Sequence, residues 1–148
     1  MPFRKILVPV DFSDASENAT RLAVSLARQT NAHIMLLHIG VVPHFYATEL
    51  GMSGSTAPFY LQMSKEIARE QLQRLEKLEA DFIPDDVSSS IQIREGFPPE
   101  EILEQTEDGG HDLLVMGTHG RTGLKRALLG SVTERVVREA TIPVMVTH

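Results

Sequence analysis

The chain contains no cysteine and no tryptophan, and aromatic residues make up only 5% of its 148 positions. Without cysteine there is no disulfide framework, no thiolate zinc site and no thiol nucleophile. Long apolar runs are also missing. The Met1-Pro-Phe-Arg-Lys-Ile6 start holds no stretch long enough for a secretory signal, and no later segment is long enough to span a bilayer. The expectation is a cytoplasmic chain that folds without covalent staples. Basic charge is scarce: 14 Lys+Arg stand against 20 Asp+Glu, a formal net charge of −6. Such a surface is a poor nonspecific partner for nucleic acid or an anionic membrane. What remains is ordinary for a globular protein, with 42% hydrophobic and 23% charged residues. The length suits a single domain spanning 1–148.

The charge is unevenly spread. Residues 111–148 carry five basic side chains (Arg121, Lys125, Arg126, Arg135, Arg138) and three acidic ones, a net of +2. Residues 1–110 carry nine basic and 17 acidic side chains, a net of −8. Chance on a solvated surface accounts for this, and so does an anion site near the C-terminus.

Lys5-Ile-Leu-Val-Pro-Val10 is a short apolar run that suits a strand buried on both faces, with Pro9 at its end. Ser13 then stands as an N-cap, with Asp14 and Glu17 in the first helical turn. Ala19, Leu22, Ala23, Leu26 and Ala27 recur at helical spacing, and Asn31 marks the stop. His33 to Ile39 reads as a second buried strand. Residues 40–58 are rich in glycine, serine and proline without periodicity, which predicts a long loop or lid. Apolar spacing from Ile67 to Phe82 predicts an amphipathic helix. Ser90 to Glu95 alternates as a half-exposed strand near a sheet edge does. Pro99, Glu100 and Glu101 open a helix that Gly109-Gly110 ends. Asp112 to Gly117 is a third buried strand, Thr118 to Lys125 a polar loop, and Gly130-Ser131 leads a final helix. Pro143 to Thr147 closes the chain as a strand. Strands alternating with helices predict one doubly wound parallel α/β sheet with helices on both faces.

In such sheets, ligands bind beyond the carboxyl ends of the strands, where the topology reverses. That directs attention to Asp11, to Gly40 onward, to Gly96 and to Gly117 onward. The densest cluster runs from Gly117 through Gly120 to Gly130 and Ser131. Glycines at 117 and 120 permit close backbone approach to an anion. Gly130-Ser131 sits where a helix presents its unbonded N–H groups and positive dipole end. The Ser131 hydroxyl either caps its helix or donates to a phosphate oxygen. Glycine spacing alone equally fits a plain strand-to-helix loop, and the local basic excess leans toward phosphate. The pattern is neither a Walker A loop nor a dinucleotide fingerprint.

With these motifs in order, the chain resembles the universal stress protein family over essentially its full length. The family's ATP-binding subgroup carries Gly-x2-Gly-x9-Gly-Ser/Thr, and Gly117, Gly120, Gly130 and Ser131 match it without a gap. The Ile6-Leu-Val-Pro-Val-Asp11-Phe-Ser13 opening, the Leu-Leu-His38-Ile39 strand and Gly130-Ser-Val-Thr-Glu134 match as well. The resemblance implies five strands in the order 3-2-1-4-5, with Asp11 opposite the Gly117 loop. It implies that Pro9, Val10 and Asp11 line the nucleoside side and that Ile39 holds adenine through its backbone. Met116 and Gly117 border the adenosine in this reading, while Gly120, Arg121, Gly130, Ser131 and Val132 hold phosphates. The ligand implied is ATP, or AMP or ADP, with Mg²⁺ carried by the phosphates and no metal held by the protein. Pairing through the last strand implies a homodimer.

Each candidate has a structural alternative. Asp11 serves equally to satisfy nearby loop N–H groups. His119 reads as a solvated loop histidine, and His38 as a hydrogen-bonded structural group. The six histidines show no metal-ligand spacing. Arg121 is a better phosphate clamp than Lys125, since it adjoins Gly120. No serine sits in a Gly-x-Ser-x-Gly elbow, so no hydrolase nucleophile and no catalytic residue is assigned. Three functions are consistent with these features: an ATP-binding regulatory module in stress response, a slow Mg-dependent ATPase or phosphotransferase, and a nucleotide-independent homodimeric interaction protein. The first is favoured because the glycine constellation is intact and a catalytic base is not evident.

Overall fold

Ile6, Leu7 and Val8 are completely buried, because helices cover both faces of the strand that carries them. The computed structural model describes residues 2–40, 57–118 and 129–148. In chain order they form β1 (Lys5–Pro9), α1 (Asp14–Thr30), β2 (His33–Gly40), α2 (Ala57–Phe82), β3 (Ser89–Glu95), α3 (Pro98–Asp108), β4 (Leu113–Gly117), α4 (Ser131–Glu139) and β5 (Val144–Thr147). The five strands make one parallel sheet in the order β3-β2-β1-β4-β5. Ile6 lies opposite Ile34 on one side and Leu113 on the other. Alternation along the strands divides the core. Ile6, Val8, Ile34 and Val115 face Ala19 and Ala23 of α1 and Leu75 of α2. Leu7, Leu37, Leu114 and Met116 face Ile102 of α3 and Val136 of α4.

The punctuation is local. Ser13 caps α1, its hydroxyl accepting the Ser16 N–H at 3.2 Å, and Asn31 ends the helix at φ 58°. Alanines at 19, 23 and 27 keep this helix thin against the sheet. Helix α2 starts at Ala57, ten residues before the spacing that predicts it. Its buried anchors, Leu75 and Leu78, lie in the C-terminal half, while Phe59 and Leu61 are exposed. Pro98 and Pro99 occupy the first two positions of α3, so Pro99 lies in its first turn as predicted, and Gly109 ends it. Strand β4 begins at Leu113 rather than Asp112. Asp112 instead accepts the backbone N–H groups of Arg4 and Lys5 and closes the start of β1.

Helix α4 departs from expectation in one respect. Gly130, not Ser131, is its N-cap, and among the described residues no side chain bonds its first-turn N–H groups. Ser131 is already helical, so its hydroxyl does not cap the helix. Edge strand β3 is half-exposed, as its alternation predicts, and all four residues of edge strand β5 are only partly buried. Among the described residues, no helix is long and apolar enough to cross a membrane. Most of the predicted 40–58 loop falls outside the described residues, as do His119, Gly120, Arg121 and Lys125.

Candidate nucleotide site

Strand β1 feeds α1 on one face of the sheet, whereas β4 feeds α4 on the other. The chain therefore departs in opposite directions from two adjacent strands, and a gap opens beyond their carboxyl ends. A cleft of about 280 Å³ occupies this place. That volume is near the lower end of small-molecule sites, which run roughly from 300 to 1,000 Å³.

One wall of the cleft is apolar. Pro9 and Val10 come from the end of β1, and Leu37 and Ile39 from β2. Met116 comes from β4, while Pro98 and Ile102 reach in from α3. The other wall is polar and built from helix beginnings, with Ser13 and Ser16 at the start of α1 and Gly130 to Thr133 at the start of α4. Two helix N-termini thus border one cleft, an arrangement that favours negative charge between them.

The α4 terminus is held rigidly. Gly130 donates its N–H to the Thr118 carbonyl at 2.7 Å, and Thr118 donates its own to Thr147 of β5 at 2.8 Å. The buried Thr133 hydroxyl donates to the Gly117 carbonyl at 2.8 Å. The first intrahelical bond runs from the Glu134 N–H to the Gly130 carbonyl. The N–H groups of Ser131, Val132 and Thr133 therefore precede the helical ladder.

Asp11 has a structural role in addition to its place on the cleft wall. Its Oδ1 accepts the Ser13 N–H at 3.0 Å and the Ser13 hydroxyl, closing a turn between β1 and α1. Phe12, inside that turn, has φ 64°, a conformation uncommon for a bulky side chain. His38 is buried, and its Nδ1 donates to the Val10 carbonyl at 2.8 Å, so this histidine is a fixed part of the wall.

Gly117 has a packing role in addition to its place on the cleft wall. A Cβ there would lie 2.7 Å from the Ala15 Cβ and 2.9 Å from the Ala15 carbonyl carbon. The absence of a side chain lets β4 end against the first turn of α1.

Pro9, Val10, Asp11, Ile39, Met116, Gly117, Gly130, Ser131 and Val132 all line this one cleft, though they come from four separate parts of the chain. Gly120 and Arg121 lie outside the described residues. Sequence reasoning did not assign Pro98, Ile102 or Thr133 to the site. Thr133 was within reach, as the third residue of a helix that follows Gly-Ser. The α3 residues carried no local signal, because only the packing of α3 over β2 brings them to the cleft. Among the described residues, no group of three His, Asp or Glu side chains is placed to hold a metal ion.

The family model described as "Universal stress protein family" matches residues 2–148. Universal stress protein MJ0531 of Methanocaldococcus jannaschii is 36% identical over 144 residues, covering 97% of this chain and 81% of that protein. Universal stress protein YxiE of Bacillus subtilis is 32% identical over 147 residues, covering 99% of each. The solved structure of protein MJ0577 superposes with a TM-score of 0.83 at 30% identity, over 99% of this chain and 96% of that one. The chain belongs to the universal stress protein family.

Proposed function

We propose that the cleft binds an adenine nucleotide, ATP first among AMP, ADP and ATP, and that its occupancy regulates the stability or partner binding of the protein. The observation that carries this reading is the α4 terminus. Three backbone N–H groups, bonded by no side chain among the described residues and held by the Thr133–Gly117 and Gly130–Thr118 bonds, border the same cleft as an apolar wall. The apolar wall suits a base and sugar, and the helix terminus suits phosphate. Pro9, Val10, Asp11, Ile39, Met116 and Gly117 then border the adenosine. Gly130, Ser131 and Val132 hold phosphates, together with Gly120 and Arg121 from the unbroken Gly-x2-Gly-x9-Gly-Ser motif. Mg²⁺ accompanies the phosphates in this reading.

Other proteins of this fold lend support. One solved universal stress protein is in complex with cAMP, and another, from Archaeoglobus fulgidus, is in complex with dAMP. They are 24% and 18% identical to this chain, so they attest to the fold and leave the ligand to be argued from this chain's own residues. The Asp11–Ser13 bonds favour a binding module over an ATPase, since they commit one carboxylate oxygen to holding a turn. We further propose a homodimer paired through β5, whose position at the sheet edge leaves backbone groups on its outer side.

Thermal melting with and without Mg-ATP tests the reading. At about a hundredfold excess over Kd, ligand adds roughly 2.7 kcal/mol of apparent stability. The wild type is expected to shift upward and Gly120→Val to shift little. An unshifted wild type, or an equal shift in Gly120→Val, overturns the reading. Phosphate release at the background rate separates binding from turnover.

A further inference from the structure

Building on the nucleotide reading, we infer that Arg74 of α2 is a positioning residue for the site and acts through Phe12. The Arg74 guanidinium carbon lies 4.2 Å from the centroid of the Phe12 ring. The same ring meets His38, centroid to centroid at 4.5 Å and tilted by 37°. Phe12 thus contacts both a cation from α2 and an imidazole that lines the cleft.

The backbone explains why this clamp matters. Phe12 sits at φ 64° between Asp11 and Ser13, both of which line the cleft. A bulky residue holds such a conformation only when its surroundings impose it. The hydrogen bonds from the Ser13 N–H and hydroxyl to Asp11 fix one side of the turn. The ring, packed against the α1–α2 face of the core, fixes the other. Arg74 closes that second side. Its helix also comes close to the end of β2, where a Cβ on Gly40 would meet the Gln71 Oε1 at 2.8 Å. The stack of Arg74, Phe12, His38 and the Val10 carbonyl therefore links the outside of α2 to the wall of the cleft. The setting of α2 and the occupancy of the cleft are coupled through it.

The test uses the full chain with Arg74→Ala, Arg74→Met, Arg74→Lys, Phe12→Leu and the Arg74→Ala/Phe12→Leu double variant. Mg-ATP affinity is measured by calorimetry, and exchange of the Ser13 amide is followed by NMR without nucleotide. A cation–π contact of this kind predicts about two- to tenfold weaker ATP binding in Arg74→Ala and Arg74→Met. Ser13 exchange is expected to speed up by a similar factor in both. Arg74→Lys restores most of each loss. In the Phe12→Leu background, Arg74→Ala adds little. A wild type that binds ATP beside Arg74 variants that bind it equally well overturns the inference alone. An undiminished Arg74→Ala loss in the Phe12→Leu background also overturns it, because the arginine then acts on the ligand directly. A wild type that binds no ATP overturns the nucleotide reading, and the inference falls with it.

Discussion

Thr133 donates its hydroxyl proton to the carbonyl of Gly117 at 2.8 Å, across 16 residues of chain. This bond joins the first turn of α4 to the last residue of β4, the two elements between which the motif loop runs. The helix terminus thereby takes its direction from the sheet.

Replacing Thr133 by valine keeps the shape and removes the donor. The Gly117 carbonyl then loses a buried partner, at a cost of about 1–3 kcal/mol. Urea denaturation is expected to show that loss in Thr133→Val and to show little of it in Thr133→Ser. Nucleotide affinity should fall along the same series, because the α4 amides are no longer held in place.

Gly117→Ala tests what the glycine is for. Its Cβ would be driven to 2.7 Å from the Ala15 Cβ. Overpacking of this kind costs about 1–3 kcal/mol. Adding Ala15→Gly is expected to recover part of the stability. A Gly117→Ala protein of unchanged stability with weaker nucleotide binding would instead assign the glycine to the ligand.

His111 makes stability depend on pH. Burial pushes its imidazole below the ordinary value of 6.5, and the bond from Nδ1 to the Gln105 carbonyl opposes that push without overcoming it. Lys5 and His33 disfavour the charged form as well, while Asp112 favours it. The unfolded chain takes up the proton near 6.5, and the folded chain does so only at lower pH. Stability present above that value is therefore lost as pH falls through the folded pKa. Denaturation at pH 7.5 and 5.5 is expected to show a smaller difference in His111→Gln than in the wild type.

The β5 edge gives a prediction about assembly. The carbonyls of Pro143 and Thr147 accept N–H groups from Leu114 and Thr118 on the β4 side. By strand alternation, Val144 and Val146 turn their backbone groups outward. Val146→Pro removes one outward N–H while leaving the inner ladder intact. Light scattering coupled to gel filtration is expected to show the wild type as a dimer and Val146→Pro as a monomer. A wild-type monomer rules out pairing through this strand.

Much of the fold was readable in the sequence, since its signals lie among neighbouring residues. Ser13 and Asn31 bound α1 where capping chemistry places them, and the apolar runs at 6–8, 34–37 and 113–116 are strands covered on both faces. Helix α2 was readable only where Leu75, Leu78 and Phe82 repeat at helical spacing. Residues 58–66 carry no buried stripe, so no periodicity announces them.

The candidate site divides along the same line. Sequence by itself determined the order of strands and helices, the glycine motif and the residues at the carboxyl ends of the strands. It could do so because caps, turns and periodicity are properties of contiguous residues. Tertiary structure alone decided that Pro98 and Ile102 complete the apolar wall, that Gly117 makes room for Ala15, and that Gly130 rather than Ser131 is the N-cap of α4. It also decided that Asp112 closes the start of β1, more than 100 residues away. These are contacts between surfaces that meet only after the sheet has formed, and no local pattern carries the distance between them.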